Sequence, residues 1–315
     1  QVLGKDLVVW RDAQKRWTCF DDRCPHRAAP FTEGRLEKDG SLLCAYHGWT
    51  FDATGKCLNI PQSVRGGKDE AQTAACTKVY PTQVAQDVIW IWAENGPDAA
   101  LESALKQPAL VPELSGVEGW KVTVASPSHR DLPYGWDTFM ENVVDPSHVP
   151  VSHHGIAGDR YKDNIPVPLQ QFEQGSVSKN GFGFINNAPI SGKDTKIFFI
   201  PPALVINEVT EQDGSKLKLI LYGVPTRPGW CRLIGRQVYG VTTTACTINE
   251  YTPPPHDDKR RNDVNGTEGY RLLRGKSMVA VKVPSWLAHV LGSLFLHQDL
   301  VFLHHQASAS ALPGT

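Results

Sequence analysis

Charge of one sign is nearly absent. The 32 Lys and Arg balance 33 Asp and Glu, leaving a net charge of −1 at pH 7. That removes any electrostatic case for a nucleic-acid partner or an anionic membrane surface. No internal repeat is visible, which excludes a solenoid or propeller. The longest apolar run, Trp286 to Leu303, is interrupted by His289, His297, Gln298 and Asp299, so it does not read as a membrane span. Seven cysteines, an odd number, set no disulfide framework. A reducing intracellular or organellar compartment therefore fits better than secretion. The chain opens on Gln1 and shows no signal or transit peptide; the expectation is a processed or truncated form, with any membrane anchor outside it.

The chemistry lies in two short stretches. Cys24-Pro25-His26 is followed, after seventeen residues, by Cys44-Ala45-Tyr46-His47. Two soft thiolates and two imidazoles at that spacing suit a Rieske [2Fe-2S] cluster, with two Cys on one iron and two His on the other. Each half brings one Cys and one His together. Neutral imidazoles in place of thiolates leave the cluster less negative, so it takes an electron more easily. The rival is a Cys/His zinc site, for which a single residue between paired ligands is tight. Gly48-Trp49 after His47 also suits the second Rieske loop.

The second stretch is Glu141-Asn142-Val143-Val144-Asp145-Pro146-Ser147-His148, then His153-His154. It reads as the first part of a two-His-one-carboxylate Fe(II) site, with His148 as one ligand and His153 or His154 as the other. Asp299 is the candidate carboxylate. It sits in a largely apolar stretch of helical length, where an unpaired, ionised Asp is costly. A metal removes that cost, as would an Arg or a helix end. Asn142 is placed for supporting contacts or a purely structural role.

At 315 residues and 41% apolar content, two domains with real cores are expected. Residues 1–112 read as an all-β unit: a hairpin of Leu7–Trp10 with Trp17–Phe20, a strand Leu42–Cys44, a strand and turn over Thr50–Cys57, and a closing hairpin within Val79–Trp92. Ser63–Thr73 reads as an exposed loop and Asn95–Pro112 as the connection. Residues 113–315 read as an antiparallel-sheet domain with flanking helices, so the fold class is α+β. A strand is expected at Trp120–Val124 and a helix from about Gly135 to Asp145, putting Asn142 and Asp145 on one face. Pro146 ends or reshapes it. Strands follow at Ile197–Ile200, Ala203–Ile206 and Leu217–Tyr222. The segment 251–268, with Pro253-Pro254-Pro255 and many charges, reads as a surface loop or a lid. Nine Trp suit a large apolar cavity, or ordinary core packing.

The Rieske loop followed by the His pair, in that order, resembles the Rieske-type non-haem iron oxygenases. Neither cluster loop has the extra Cys of the electron-transfer-complex Rieske proteins. Together, Glu33-Gly34-Arg35, Ile60-Pro61-Gln62, Met140-Glu141-Asn142 and Asp145-Pro146-Ser147-His148 resemble the pheophorbide a oxygenase group, beside chlorophyllide a oxygenase and the chloroplast translocon Rieske component. The resemblance spans nearly the whole chain and is thinnest from about 160 to 280.

It implies a helix-grip-like catalytic domain and a His-x4-His pattern that selects His153 over His154. It implies Asp299 as the carboxylate ligand, and Asp145 as an acid joining His148 to His47 of a neighbouring chain, hence a homotrimer. It implies a chloroplast location, at the thylakoid or inner envelope. The implied reaction is a monooxygenation of a chlorophyll-derived tetrapyrrole with dioxygen and electrons from reduced ferredoxin, with ring opening of pheophorbide a foremost. Side-group oxidation and a redox-sensing translocon role are the alternatives. No Gly-rich dinucleotide fingerprint is present, so electrons from NAD(P)H require a separate reductase.

Overall fold

The computed structural model describes residues 1–123, 127–167, 169–171, 177–190, 193–240, 267–274 and 277–284. The chain divides into two compact units. Gln1–Leu110 with Pro225–Pro228 form one, and Val111–Val224 with Gly229–Thr315 the other.

The first unit is mostly short antiparallel strands. β1 (Leu7–Arg11) pairs with β2 (Trp17–Asp21), and β2 with β7 (Val79–Tyr80). Alternation along β1 turns Val8 and Trp10 inward. A second sheet runs β3 (Arg35–Leu36), β4 (Leu42–Leu43), β5 (Thr50–Phe51), β6 (Cys57–Asn59). A hairpin of β8 (Thr82–Ala85) and β9 (Val88–Ile91) follows. The core gathers Val8, Trp10, Phe20, Phe31, Leu42 and Phe51 around Cys24, Cys44 and Cys57. Edge-to-face contacts of Trp10 on Phe20 (4.4 Å) and Phe31 on Phe51 (5.3 Å) fix its aromatic centre.

Two stretches expected as loops are partly helical. α1 (Gly67–Ala71) lies inside 63–73 because Ala71 is buried in this core. α2 (Ala99–Leu105) lies inside the presumed connection, where Ala-Ala-Leu-Glu-Ser-Ala-Leu is rich in strong helix formers.

The second unit is built on an eight-stranded sheet. β10 (Trp120–Val122) and β11 (Ser128–Leu132) both pair antiparallel with β17 (Cys231–Gly240). Next in order come β16 (Lys216–Pro225), β15 (Leu204–Thr210), β14 (Lys193–Ile200), β13 (Phe182–Ile190) and β12 (Leu169–Gln171). β18 (Thr267–Arg274) and β19 (Ser277–Pro284) form a separate hairpin.

Helix α3 (Trp136–Val144) packs on β14 and β15. Phe139, Met140, Val143 and Val144 share a core with Ile197, Val205, Leu221 and Leu233. Burying each large side chain there contributes roughly 1.5–3 kcal/mol. The approach is close because β16 offers Gly223. A Cβ at that position would lie 2.6 Å from Phe139 Cδ1 and nearer still to Met140 Cε. A short helix, α4 (Val149–Ser152), follows α3. The mixed architecture of antiparallel sheets with few helices is the α+β class expected.

Candidate metal centres

The two Cys/His loops of the first unit are built alike. Cys24 N–H donates to the Ala29 carbonyl and Ala28 N–H returns a bond to the Cys24 carbonyl, both 2.8 Å. Cys44 N–H donates to the Trp49 carbonyl (2.9 Å) and Gly48 N–H to the Cys44 carbonyl (3.0 Å). Both turns need left-handed backbone at the same place, and Ala28 (φ 58°) and Gly48 (φ 71°) supply it. The cysteines point inward, each 2% exposed, whereas His26 is exposed and His47 half-buried. The imidazole rings stand 4.6 Å apart, edge to face. Trp49 stacks on His26 at 4.4 Å and Tyr46 leans on His47 at 3.9 Å. Gln62 Nε2 donates to the His47 carbonyl (2.9 Å) and tethers the second loop.

This donor set fits a two-iron cluster. Burial first, and the adjacent Cys44 thiol further, push the Cys24 thiol up to about 11. An unmetallated Cys24 there keeps its proton, and a coordinated cation is what stabilises a thiolate. Burial and then the neighbouring His47 hold His26 below the ordinary imidazole value, in keeping with neutral, ligating nitrogens. The four cluster residues expected from the sequence are thus brought together by the fold.

Sequence reasoning gave no role to Trp49 against His26 or to Gln62 against His47. The signal was present, since Trp49 and Ile60-Pro61-Gln62 stood out as motifs.

In the second unit α3 ends one residue earlier than expected. Asp145 lies at φ −87°, ψ 110°, because the residue before a proline is pushed out of the helical region. Asp145 and Asn142 are therefore not on one helical face. The extended backbone turns the Asp145 carboxylate toward the following loop instead. Its Oδ1 accepts from the Ser147 N–H (2.7 Å), and its Oδ2 lies 3.5 Å from His148 Nδ1. Asn142 Nδ2 stands 3.4 Å from His148 Nε2. The rings of His148 and His153 are 5.3 Å apart, and His153 is completely buried.

His154 faces elsewhere. Its Nδ1 accepts from the Arg160 N–H (3.1 Å) and its ring packs on Tyr161. Among the described residues no three His, Cys, Asp or Glu side chains gather to hold one metal ion. A two-imidazole pair suits the two-His part of a facial triad. Asp299, the segment 251–266 and the stretch 286–306 lie outside the described residues. Among the described residues no helix is long and apolar enough to cross a membrane.

Residues 1–81 match the Rieske [2Fe-2S] domain family, and residues 199–312 match the pheophorbide a oxygenase family. The second match covers much of the stretch where motif reading found the resemblance thinnest. Pheophorbide a oxygenase of Oryza sativa subsp. japonica, chloroplastic, is 39% identical over 313 residues, 97% of this chain and 53% of that one. Flavonoid 8-hydroxylase 2 of Ocimum basilicum, chloroplastic, is 30% identical over 96% of this chain and 54% of that one. Protein TIC 55 of Pisum sativum, chloroplastic, is 38% identical over 68% of this chain and 37% of that one.

The chain spans about half the length of the first two relatives. Among solved structures, Pseudomonas putida CBB5 NdmB aligns over 96% of this chain and 74% of that one with a TM-score of 0.65. At 19% identity that likeness speaks for the fold.

A Rieske [2Fe-2S] domain followed by a region matching the pheophorbide a oxygenase family defines the class: the chain belongs to the Rieske-type non-haem iron oxygenases. Within that class, its second domain and its plant relatives place it in the pheophorbide a oxygenase-like group. These relatives are chloroplastic, in line with the chloroplast location implied by the motifs.

Proposed function

We propose that this chain is the oxygenase part of a ferredoxin-dependent monooxygenase acting on a chlorophyll-derived tetrapyrrole, foremost the ring opening of pheophorbide a. The observation that carries the reading is the match of residues 199–312 to the pheophorbide a oxygenase family, in the unit that holds the His148–His153 pair. Cys24, Cys44, His26 and His47 would hold the cluster. His148 and His153, with Asp299, would hold a mononuclear Fe(II). When bound, the cluster stores single electrons and the ferrous ion activates dioxygen.

The protein's own part is orientation. Asp145 beside His148 Nδ1 fixes the ring so that Nε2 is the nitrogen presented for ligation. Asn142 lies against that same Nε2. Full burial of His153 keeps water from competing for its ring. The exposed edge of His26 gives an electron donor, reduced ferredoxin in this reading, direct access to the cluster end. Asp145 is 46% exposed on its side chain. That leaves it available to reach His47 of a neighbouring chain in a homotrimer.

A second reading has an observation of its own. The flavonoid 8-hydroxylase relative, by its name, hydroxylates a flavonoid. Side-group oxidation of a chlorophyllide, a protochlorophyllide or a phyllobilin is therefore the alternative. A relative named protochlorophyllide-dependent translocon component 52, 40% identical over half of this chain, keeps a redox-sensing role in the chloroplast translocon as a further one.

The test is a single-turnover experiment. The iron-loaded chain is reduced anaerobically and exposed to oxygen with pheophorbide a, chlorophyllide a or protochlorophyllide a. A ring-opened product from pheophorbide a alone is expected. A hydroxylated or formylated product from another pigment moves the substrate. No product from any, with both iron sites filled, overturns the reading.

A further inference from the structure

Five of the seven cysteines take no part in the proposed iron chemistry, and two of these lie on segments that pack together. Cys57 lies on β6, 2% exposed, in the same core as Cys24 and Cys44. Cys76 is exposed. Eighteen residues lie between them along the chain, yet the segment that carries Cys76 is fastened to the core around Cys57 at several points. Ala71 is buried in that core, and Ala74 and Val79 pack against it. Thr77 N–H, one residue after Cys76, donates to the Gly55 carbonyl (2.9 Å), two residues before Cys57. The packing there is tight, since a Cβ on Gly55 would lie 2.6 Å from the Thr77 carbonyl oxygen.

The Cys57 thiol is raised first by burial, and the charge of Cys76 raises it further. The shifts of Cys19 and Cys231 trace instead to burial and to carboxylates.

We propose that Cys57 and Cys76 are a reversible disulfide pair, a thiol-modification site in the first unit separate from the cluster ligands. The asymmetry in exposure sets the order of events. The oxidant is an external disulfide, a small-molecule or protein one. The exposed Cys76 thiolate attacks one of its sulfurs, the external S–S bond breaks, and one thiolate leaves. The buried Cys57 then loses its proton and attacks the Cys76 sulfur, releasing the second external thiol. Two electrons pass from the Cys pair to the external disulfide, which ends as two thiols.

The bridge fastens β6 to the segment before β7. β6 runs directly into Ile60-Pro61-Gln62, where Gln62 holds the His47 carbonyl. The proposed pair therefore lies one short strand away from a tether of the cluster loop.

The sequence makes the test clean. Trypsin cuts after Lys56, Arg65, Lys68 and Lys78, giving the peptides Cys57–Arg65 and Asp69–Lys78 with one cysteine each. The cluster-loaded chain is equilibrated in oxidised and in reduced glutathione, alkylated under denaturing conditions, digested and weighed. The expected result is the linked peptide pair in oxidised buffer and two alkylated peptides in reduced buffer, with the visible cluster spectrum present in both. Cys76→Ser abolishes the linked pair, and Cys19→Ser leaves it unchanged. Three outcomes overturn the proposal. They are unlinked peptides with glutathione held on Cys76 alone, Cys57 linked to Cys24 or Cys44, and loss of the cluster spectrum whenever the pair links.

Discussion

Ala28 and Gly48 hold the same place in two like-built loops, four residues after a cluster cysteine, and only one of them is glycine. At φ 58° Ala28 sits where an L side chain is strained. Ala28→Gly is expected to stabilise the first unit by about 0.5 kcal/mol, strain relief slightly exceeding the entropy that glycine adds to the unfolded chain. Gly48→Ala should cost about 1 kcal/mol, since it adds the same strain and brings a Cβ to 3.2 Å from Pro61. Urea midpoints of the cluster-loaded variants read both, and equal signs for the two would contradict the account. At the second site Asp145→Asn is expected to lower single-turnover product more than about tenfold while leaving the cluster spectrum intact; product unchanged would remove Asp145 from any role beside His148.

The two Cys/His loops were readable from spacing because each holds its own Cys and His, so local sequence determines local geometry. Asp145 was misplaced by one residue, since helical periodicity was carried through a position that Pro146 forces out of the helix. The His-x4-His pattern points to His153 over His154, and the structure sets the buried His153 ring beside His148 and packs the His154 ring on Tyr161.

Elements carry the second site as much as its residues do. Helix α3 lies on the sheet through Phe139 and Met140 because Gly223 leaves room. Gly223→Ala is expected to cost about 1–3 kcal/mol by overpacking and to displace Asn142, measured as a lower denaturation midpoint together with weaker iron retention at the second site. A fully stable variant with normal iron would show that α3 can shift without consequence.

β11 is tied to β17 by Asp131 and Arg232, with contacts of 2.6 and 2.9 Å. The Arg232 guanidinium holds the Asp131 carboxyl below its ordinary 3.8. The contribution is therefore complete above that value and is lost as pH falls through the depressed one. The stability gap between wild type and Asp131→Asn should be flat from about pH 5 to pH 8 and close below about pH 3.8. High salt should shrink it, because both side chains are more than a third exposed.

Strands such as Ile197–Ile200 and Leu217–Tyr222 were readable from their β-branched and aromatic content. α1 and α2 were not, because short helices depend on one buried Ala or a brief Ala-rich run rather than on a full amphipathic period.

At the scale of the molecule, one unit presents the paired Cys/His loops and the other the His148–His153 pair. The charge balance was plain in the composition. The substrate was not readable, because a β pattern reports that a face exists and not which side chains line a site on it. The central claim is that the chain holds a mononuclear iron in addition to its cluster.

The most direct measurement is the iron and acid-labile sulfide content of the reconstituted chain beside His148→Ala, His153→Ala and Asp299→Ala. The account predicts one more iron per chain in the wild type than in each variant, with equal sulfide and an equal Rieske spectrum throughout. Equal iron in all four proteins would contradict it.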